Sequence, residues 1–268
     1  MTETTSKLFH RIAGLGLSWD DQEKLLASPV GDATLDYNHF MLRVCGVASA
    51  YPTYPLGTTF PLGSKYGDAL DIAAYPAIVA LSTDMYQVIV AEDVPGDVVE
   101  FGVAAGRWLT TMLDTMDASG SIRRVWGFDS FEGLPEPDPA RDAPQWTKGQ
   151  FANQQEVVAG TLKLAARPHL RLVKGWFSDA FAQPDAQSIT SIAYAKIDCD
   201  LYQPALECLR FLKGRLSHGA ILMFDEWTHS LYEGETRAFA EWVPDVPEYR
   251  FELIGFINFR LFFRVWHA

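Results

Sequence analysis

From Asp97 onward the chain alternates between two hydrophobic periods. Short apolar runs, each closed by an acid or a glycine, are separated by stretches whose apolar residues recur every three or four positions. The short runs predict strands over Asp97–Val103, Arg123–Asp129, Leu170–Trp176, Ile189–Asp198 and Ala220–Asp225. The longer period predicts helices over Gly106–Met116, Gln154–Ala166, Pro204–Leu212 and Glu235–Trp242. Alternation of this kind implies a parallel sheet covered by helices on both faces. The final two runs, Tyr249–Phe256 and Phe259–Trp266, are too close together for a crossover and predict an antiparallel hairpin. The fold class is therefore α/β, a doubly wound, mostly parallel sheet that binds ligands beyond the carboxyl ends of its strands.

The residues before Pro95 follow a different pattern. A short helical opening around Asp20 to Leu26 leads to an aromatic and proline-rich passage, Tyr51–Gly57. A helix from Ile72 to Val90 follows, with Pro76 early in it, where a missing donor matters least. We read residues 1–93 as an N-terminal helical cap and 94–268 as the main domain.

Composition narrows the partners. With 268 residues and 48% hydrophobic content the chain can bury a full core. A net charge of -12 without a basic stripe excludes a nucleic-acid backbone as partner. Cys45, Cys199 and Cys208 follow no metal or disulfide spacing and suit a reducing, cytoplasmic setting. The polar opening lacks signal-peptide order, and no apolar run is expected to reach the roughly 18 residues of a membrane span.

Candidate chemistry gathers at the predicted strand ends. Gly102 and Gly106 offer bare backbone to a ligand, and the helix starting near Arg107 aims its amides the same way. The third glycine of a dinucleotide fingerprint is missing, so a nucleoside without a pyrophosphate fits better. Asp129 ends the second strand, where it can accept ribose hydroxyls or serve as a turn residue before Ser130. The Pro- and Asp-rich segment Phe131–Gln150 has the length of a lid. Asp198 and Asp200 close the fourth strand and Asp225 and Glu226 the fifth, bringing four acids to one sheet edge. Such acids repel unless a cation sits among them, and an oxygen-only set selects a hard ion such as magnesium. Strand period puts Asp198 and Asp200 on one side and Cys199 on the other. His229 is a second candidate base, and Trp176 with Phe177 could wall an adenine ring.

Four ordered motifs carry a resemblance. Val94–Val103, Asp129–Pro135, Gly175–Asp179 and Asp198–Tyr202 together resemble the macrocin O-methyltransferase family of antibiotic-tailoring enzymes, over about Val94 to Trp242. The resemblance implies a Rossmann-like class I methyltransferase sheet, S-adenosylmethionine and Mg2+ as cofactors, and a small-molecule acceptor: a hydroxyl of a sugar or sugar-bearing natural product. It implies that Glu100, Gly102 and Gly106 hold the methionine part, Asp129 and Ser130 the ribose, and Gly175 with Trp176 the adenine side. Asp198, Asp225 and Glu226 would be metal ligands, with Asp198 also near the cofactor, and Asp200 the general base. Where the family pattern has a second aspartate, this chain has Glu226. The same metal geometry would chelate a catechol or other aromatic diol, and a non-catalytic cofactor-binding scaffold stands as the reading from another class. Oligomeric state, a homo-oligomer included, is left open.

Overall fold

The computed structural model describes residues 37, 40, 41, 43–46, 67–228 and 231–268, with residues 67–73 as backbone alone. The expected opening helix near Asp20, the Tyr51–Gly57 passage and His229 lie outside the described residues. Helix α1 (Gly67–Ala91) precedes β1 (Asp97–Phe101), α2 (Arg107–Ser119), β2 (Val125–Asp129), α3 (Gln155–Thr161) and β3 (Leu170–Lys174). Two single-turn helices, α4 (Phe177–Ala180) and α5 (Pro184–Gln187), lead to β4 (Ile192–Ile197), α6 (Tyr202–Leu212) and β5 (Leu216–Phe224). Helix α7 (Gly234–Trp242) then precedes the hairpin of β6 (Tyr249–Ile257) and β7 (Arg260–His267).

The strands form one sheet of order β3-β2-β1-β4-β5-β7-β6. The first five are parallel, and β7 runs antiparallel to both β5 and β6. The chain winds outward from β1 to β3 and then returns to lay β4 beside β1, which creates a switch point where loops leave in opposite directions. Because strand side chains alternate, each strand feeds two cores. Val98, Tyr194, Met223 and Phe262 pack with α1 and α2 on one face. Val99, Phe101, Ile197, Phe224 and Phe263 pack with α6 and α7 on the other. On this second face Phe239 of α7 stacks on Phe263 and meets Trp227 edge-on, in the arrangements aromatic rings prefer.

Helix α1 falls within the segment read as a cap, yet it belongs to the sheet's own helical layer. Its buried residues Ile78, Ser82, Tyr86 and Ile89 recur at helical spacing. Ser82 donates to Met223 Sδ of β5 and accepts from Trp108 Nε1 of α2. Its stretch Ala74–Ala91 has the length and mean hydropathy of a membrane span, contrary to the expectation that no run would.

Differences from the expected elements have local reasons. β5 begins at Leu216, four residues before the expected start, because Gly219 at φ 82 interrupts the apolar run without ending the strand. The expected helix Gln154–Ala166 breaks into α3 and a short 3-10 turn where Lys163 takes φ 53. Helices α4 and α5 escape the sequence reading because four residues cannot show a helical period.

Candidate active site

The loop after β1 is built from backbone. Gly102 sits at φ 86, and a Cβ there would fall inside the Asp198 carbonyl, so the glycine is demanded by the end of β4 rather than by a ligand alone. Past it the chain turns through Ala104 at φ 44 and enters α2 at Gly106. Asp129, at the end of β2, braces this turn: Oδ2 accepts from the Val103 and Ala104 amides at 2.7 and 2.8 Å. Oδ1 accepts from Phe131 N at 2.6 Å, so one carboxylate shapes the loops after both β1 and β2. Gly175 N donates to Asp129 O, bringing Trp176 to the N-terminus of α4 beside the same loops. Ser130 is buried, accepting from Glu132 N and donating to Gly133 O. Gly106, read as a cofactor residue, packs against Val158 and Leu162 and is not among the residues lining the cavity.

The loops after β4 and β5 are built from charge. In the register of β1, β4 and β5, Glu100 lies beside Lys196 and Lys196 beside Met223. Strand period then turns Glu100, Lys196, Asp198 and Asp225 toward one face. Lys196 Nζ lies 3.3 Å from Glu100 Oε1, 2.6 Å from Asp198 Oδ2 and 3.1 Å from Asp225 Oδ1. Arg260, at the start of β7, meets Asp225 Oδ2 at 2.9 Å. The expected cation among the acids is thus supplied in part by the chain itself, a correction to the reading that left the charge to magnesium alone.

Burial pushes the Glu100 carboxyl up to about 8 against the pull of Lys196, and its Oε2 is buried with no hydrogen-bond partner. Burial, with Asp225 as the next cause, pushes Asp198 up to about 6. Burial acts on Asp225 too, but Lys196 and Arg260 outweigh it and hold that carboxyl below its usual value. Asp200 gains no such relief, and Glu226 only part of it. Burial and the Glu226 charge raise Asp200, and burial, only partly offset by Arg260, raises Glu226.

Asp198 and Asp200 do share the cavity, though not by strand pleat. β4 ends at Ile197, and Asp200 reaches the cavity through a left-handed turn at φ 63. Cys199 turns away, its Sγ against Cys208 and the Phe101 carbonyl. Behind these loops lies Glu235, fully buried in the first turn of α7. Its Oε1 accepts from the Cys199 and Asp200 amides at 2.8 and 3.1 Å, and its Oε2 from Glu226 N at 3.1 Å.

Lys196, Arg260 and Glu235 are the site residues that sequence reasoning missed. Lys196 carried one usable signal, its position two residues before Asp198 in the same strand. The other two come from later elements whose register is invisible in the sequence.

The segment expected to be a lid is tied down at both edges in this structure. Leu134 N donates to Gln150 O and Gly149 N to Leu134 O, and Leu134 and Trp146 are buried with Leu201. Asp142 Oδ1 accepts from Tyr202 N, the first residue of α6, and Arg141 O accepts from Gly234 N, the first of α7. Together these loops enclose a cavity of about 810 Å3 whose lining includes Glu100, Gly102, Asp129, Ser130, Trp176 and Asp200.

Two solved structures match this architecture. A calicheamicin methyltransferase aligns with TM-score 0.58 at 23% identity, covering 98% of this chain and 91% of that one. The O-methyltransferase NovP aligns with TM-score 0.57 at 22% identity, covering 69% and 78%. The fold is that of a Rossmann-like methyltransferase, with the acid-lined cavity at its switch point. Residues 80–242 match the model of the macrocin-O-methyltransferase family, and the chain belongs to that family.

Among its relatives, a tetracenomycin rhamnosyl 4'-O-methyltransferase of Streptomyces olivaceus is 32% identical over 53% of this chain and 56% of its own length. Demethyldecarbamoylnovobiocin O-methyltransferase of Streptomyces niveus is 27% identical over 52% and 55%. The chain thus spans about half the length of the curated relatives it matches.

Proposed function

We propose that this chain transfers a methyl group from S-adenosylmethionine to a hydroxyl of a sugar-bearing natural product, with Asp200 as the general base. The observation that carries the reading is the Asp200 carboxylate: nine-tenths buried, on the cavity wall, with a proton affinity raised by burial and Glu226. The names of the two curated relatives, both O-methyltransferases and one of them acting on a rhamnosyl group, support the substrate class.

The residues present fit the cofactor. Glu100 Oε2 is a buried acceptor without a partner, suited to an ammonium group, and it lines the cavity with Gly102, Asp129, Ser130, Gly175 and Trp176. Asp198 stands at the boundary between this half and the acids. S-adenosylmethionine, when bound, supplies an electrophilic sulfonium methyl. Asp200 would take the acceptor's hydroxyl proton, leaving that oxygen to accept the methyl group the cofactor supplies. Lys196 keeps Glu100, Asp198 and Asp225 from repelling one another, and the 131–150 wall narrows the water's access.

The oxygen-only donor set would suit magnesium, although Lys196 and Arg260 already pair with Asp198 and Asp225. Among the described residues no three acidic, histidine or cysteine side chains are gathered around one point, and both Asp225 oxygens are in ion pairs. Asp198, Asp225 and Glu226 would hold the ion, which would supply chelation of neighbouring acceptor hydroxyls.

The test incubates the protein with labelled S-adenosylmethionine, magnesium and a panel of glycosides, with catechols as a separate arm, and reads label in the product. Label on a glycoside, abolished by excess chelator and restored by magnesium, is the expected result. Undiminished transfer in chelator removes the metal and leaves the reaction. Label on catechols alone replaces the substrate class, and cofactor binding without transfer to either arm returns the chain to a binding scaffold.

A further inference from the structure

We propose that Glu235 is a positioning residue that sets the two acidic loops against each other and, through its hold on the Asp200 backbone, aims the general base. The inference rests on the reading of Asp200 as that base.

One carboxylate receives three backbone amides, and those amides belong to two different chain segments. Cys199 N and Asp200 N follow β4, Glu226 N follows β5, and Glu235 approaches from the first turn of α7. Asp200 holds a left-handed conformation, unfavourable for a residue bearing a Cβ and sustained here by its neighbours. Glu235 imposes it from the amide side. From the carbonyl side Gly234 makes room, because a Cβ there would stand 3.1 Å from Asp200 O. The pair Gly234–Glu235 thus forms a socket around the Asp200 peptide, and the same carboxylate ties that socket to the segment bearing Asp225 and Glu226.

Glu235 does not line the cavity, so its influence on methyl transfer must pass through the acids it holds. Its position has no structural need for an acid of this kind. The helix is already docked by Phe239 and Trp242 in the aromatic core and by Thr236, whose Oγ1 accepts from Thr228 N at 2.8 Å. A fully buried carboxylate is a costly way to anchor a helix, and its three acceptor bonds all point at the acidic loops.

Glu235→Gln keeps the shape but can no longer accept at both ends. Three readouts test the proposal. Amide hydrogen exchange in the apo protein should quicken at Cys199, Asp200 and Glu226 while α6 keeps its protection. The kcat should fall by about tenfold to a hundredfold, as for lost supporting partners of a site, with the calorimetric Kd for S-adenosylmethionine unchanged. Combining Glu235→Gln with Asp200→Asn should be no slower than Asp200→Asn alone, since a residue acting through the base has nothing further to lose.

Trp242→Phe, which loosens the far end of the same helix where Trp242 packs on Tyr249 and Phe251, is the control for mere destabilisation and should keep the parental kcat. Parental kcat in Glu235→Gln, a multiplied loss in the double variant, or an equal kcat loss in Trp242→Phe overturns the proposal. Should the parent methylate nothing in the panel, the base assignment falls, and the exchange experiment still decides whether Glu235 holds the loops.

Discussion

The two halves of the cavity are stabilised by different means. On the β1–β2–β3 side the walls are backbone: a glycine against a carbonyl, and a carboxylate receiving three amides. On the β4–β5 side the walls are buried charge, with Lys196 and Arg260 threaded between acids and Glu235 behind them. Backbone walls are stiff and tolerate little added volume. Charged walls depend on every partner being present, because removing one leaves its counterpart buried and unpaired.

The sharpest way to break the first half is Gly102→Ala. The added Cβ has no space against the Asp198 carbonyl and φ 86 is strained as well, so a loss of more than about 4 kcal/mol and an insoluble or unfolded product are expected. Gly106→Ala is the matched control. There the neighbours are the side chains of Val158 and Leu162, which can give, and the cost should stay near the roughly 1–2 kcal/mol of a left-handed residue. Equal losses by denaturant melts would erase the distinction between a backbone wall and an ordinary turn.

Lys196→Met tests the second half. It leaves Glu100, Asp198 and Asp225 facing one another in a buried site, and a destabilisation of about 3–5 kcal/mol is expected. Lys196→Met with Glu100→Gln should recover part of it. No recovery would mean that the three acids do not share their charge through Lys196.

A milder effect than the loss of Lys196 is expected for Asp129→Asn. The amide keeps one acceptor and turns a donor toward the Val103 and Ala104 or Phe131 amides, at about 1–3 kcal/mol. Its S-adenosylmethionine affinity should fall more than its turnover at saturation. A turnover loss at saturating cofactor would place Asp129 in the chemistry rather than in the brace.

The same division explains what the sequence made legible. Strand ends are visible in a hydrophobic pattern, so Asp129, Asp198, Asp225 and Glu226 could be assigned to one sheet edge from their positions after apolar runs. Gly102 was visible as a glycine, but the reason for it was not, since the Asp198 carbonyl arrives from nearly a hundred residues away. Lys196 lay inside the run read as the fourth strand, and only the cross-strand register sets it beside Glu100. Arg260 and Glu235 depend on how the hairpin and α7 dock, which no local period encodes. The 131–150 segment could be read from its length and aromatics only as a lid that orders, since its ties to Tyr202 and Gly234 are long-range.

Those ties have an evolutionary consequence. The 131–150 wall is mounted largely through main-chain atoms, with few side chains, such as Asp142, and the crowded Gly133 fixed by identity. Most of its other side chains are free to drift without unseating it. Such a segment is an exchangeable cassette: grafting it between relatives should retune which acceptor is taken while the strand-end machinery that performs the transfer is inherited unchanged.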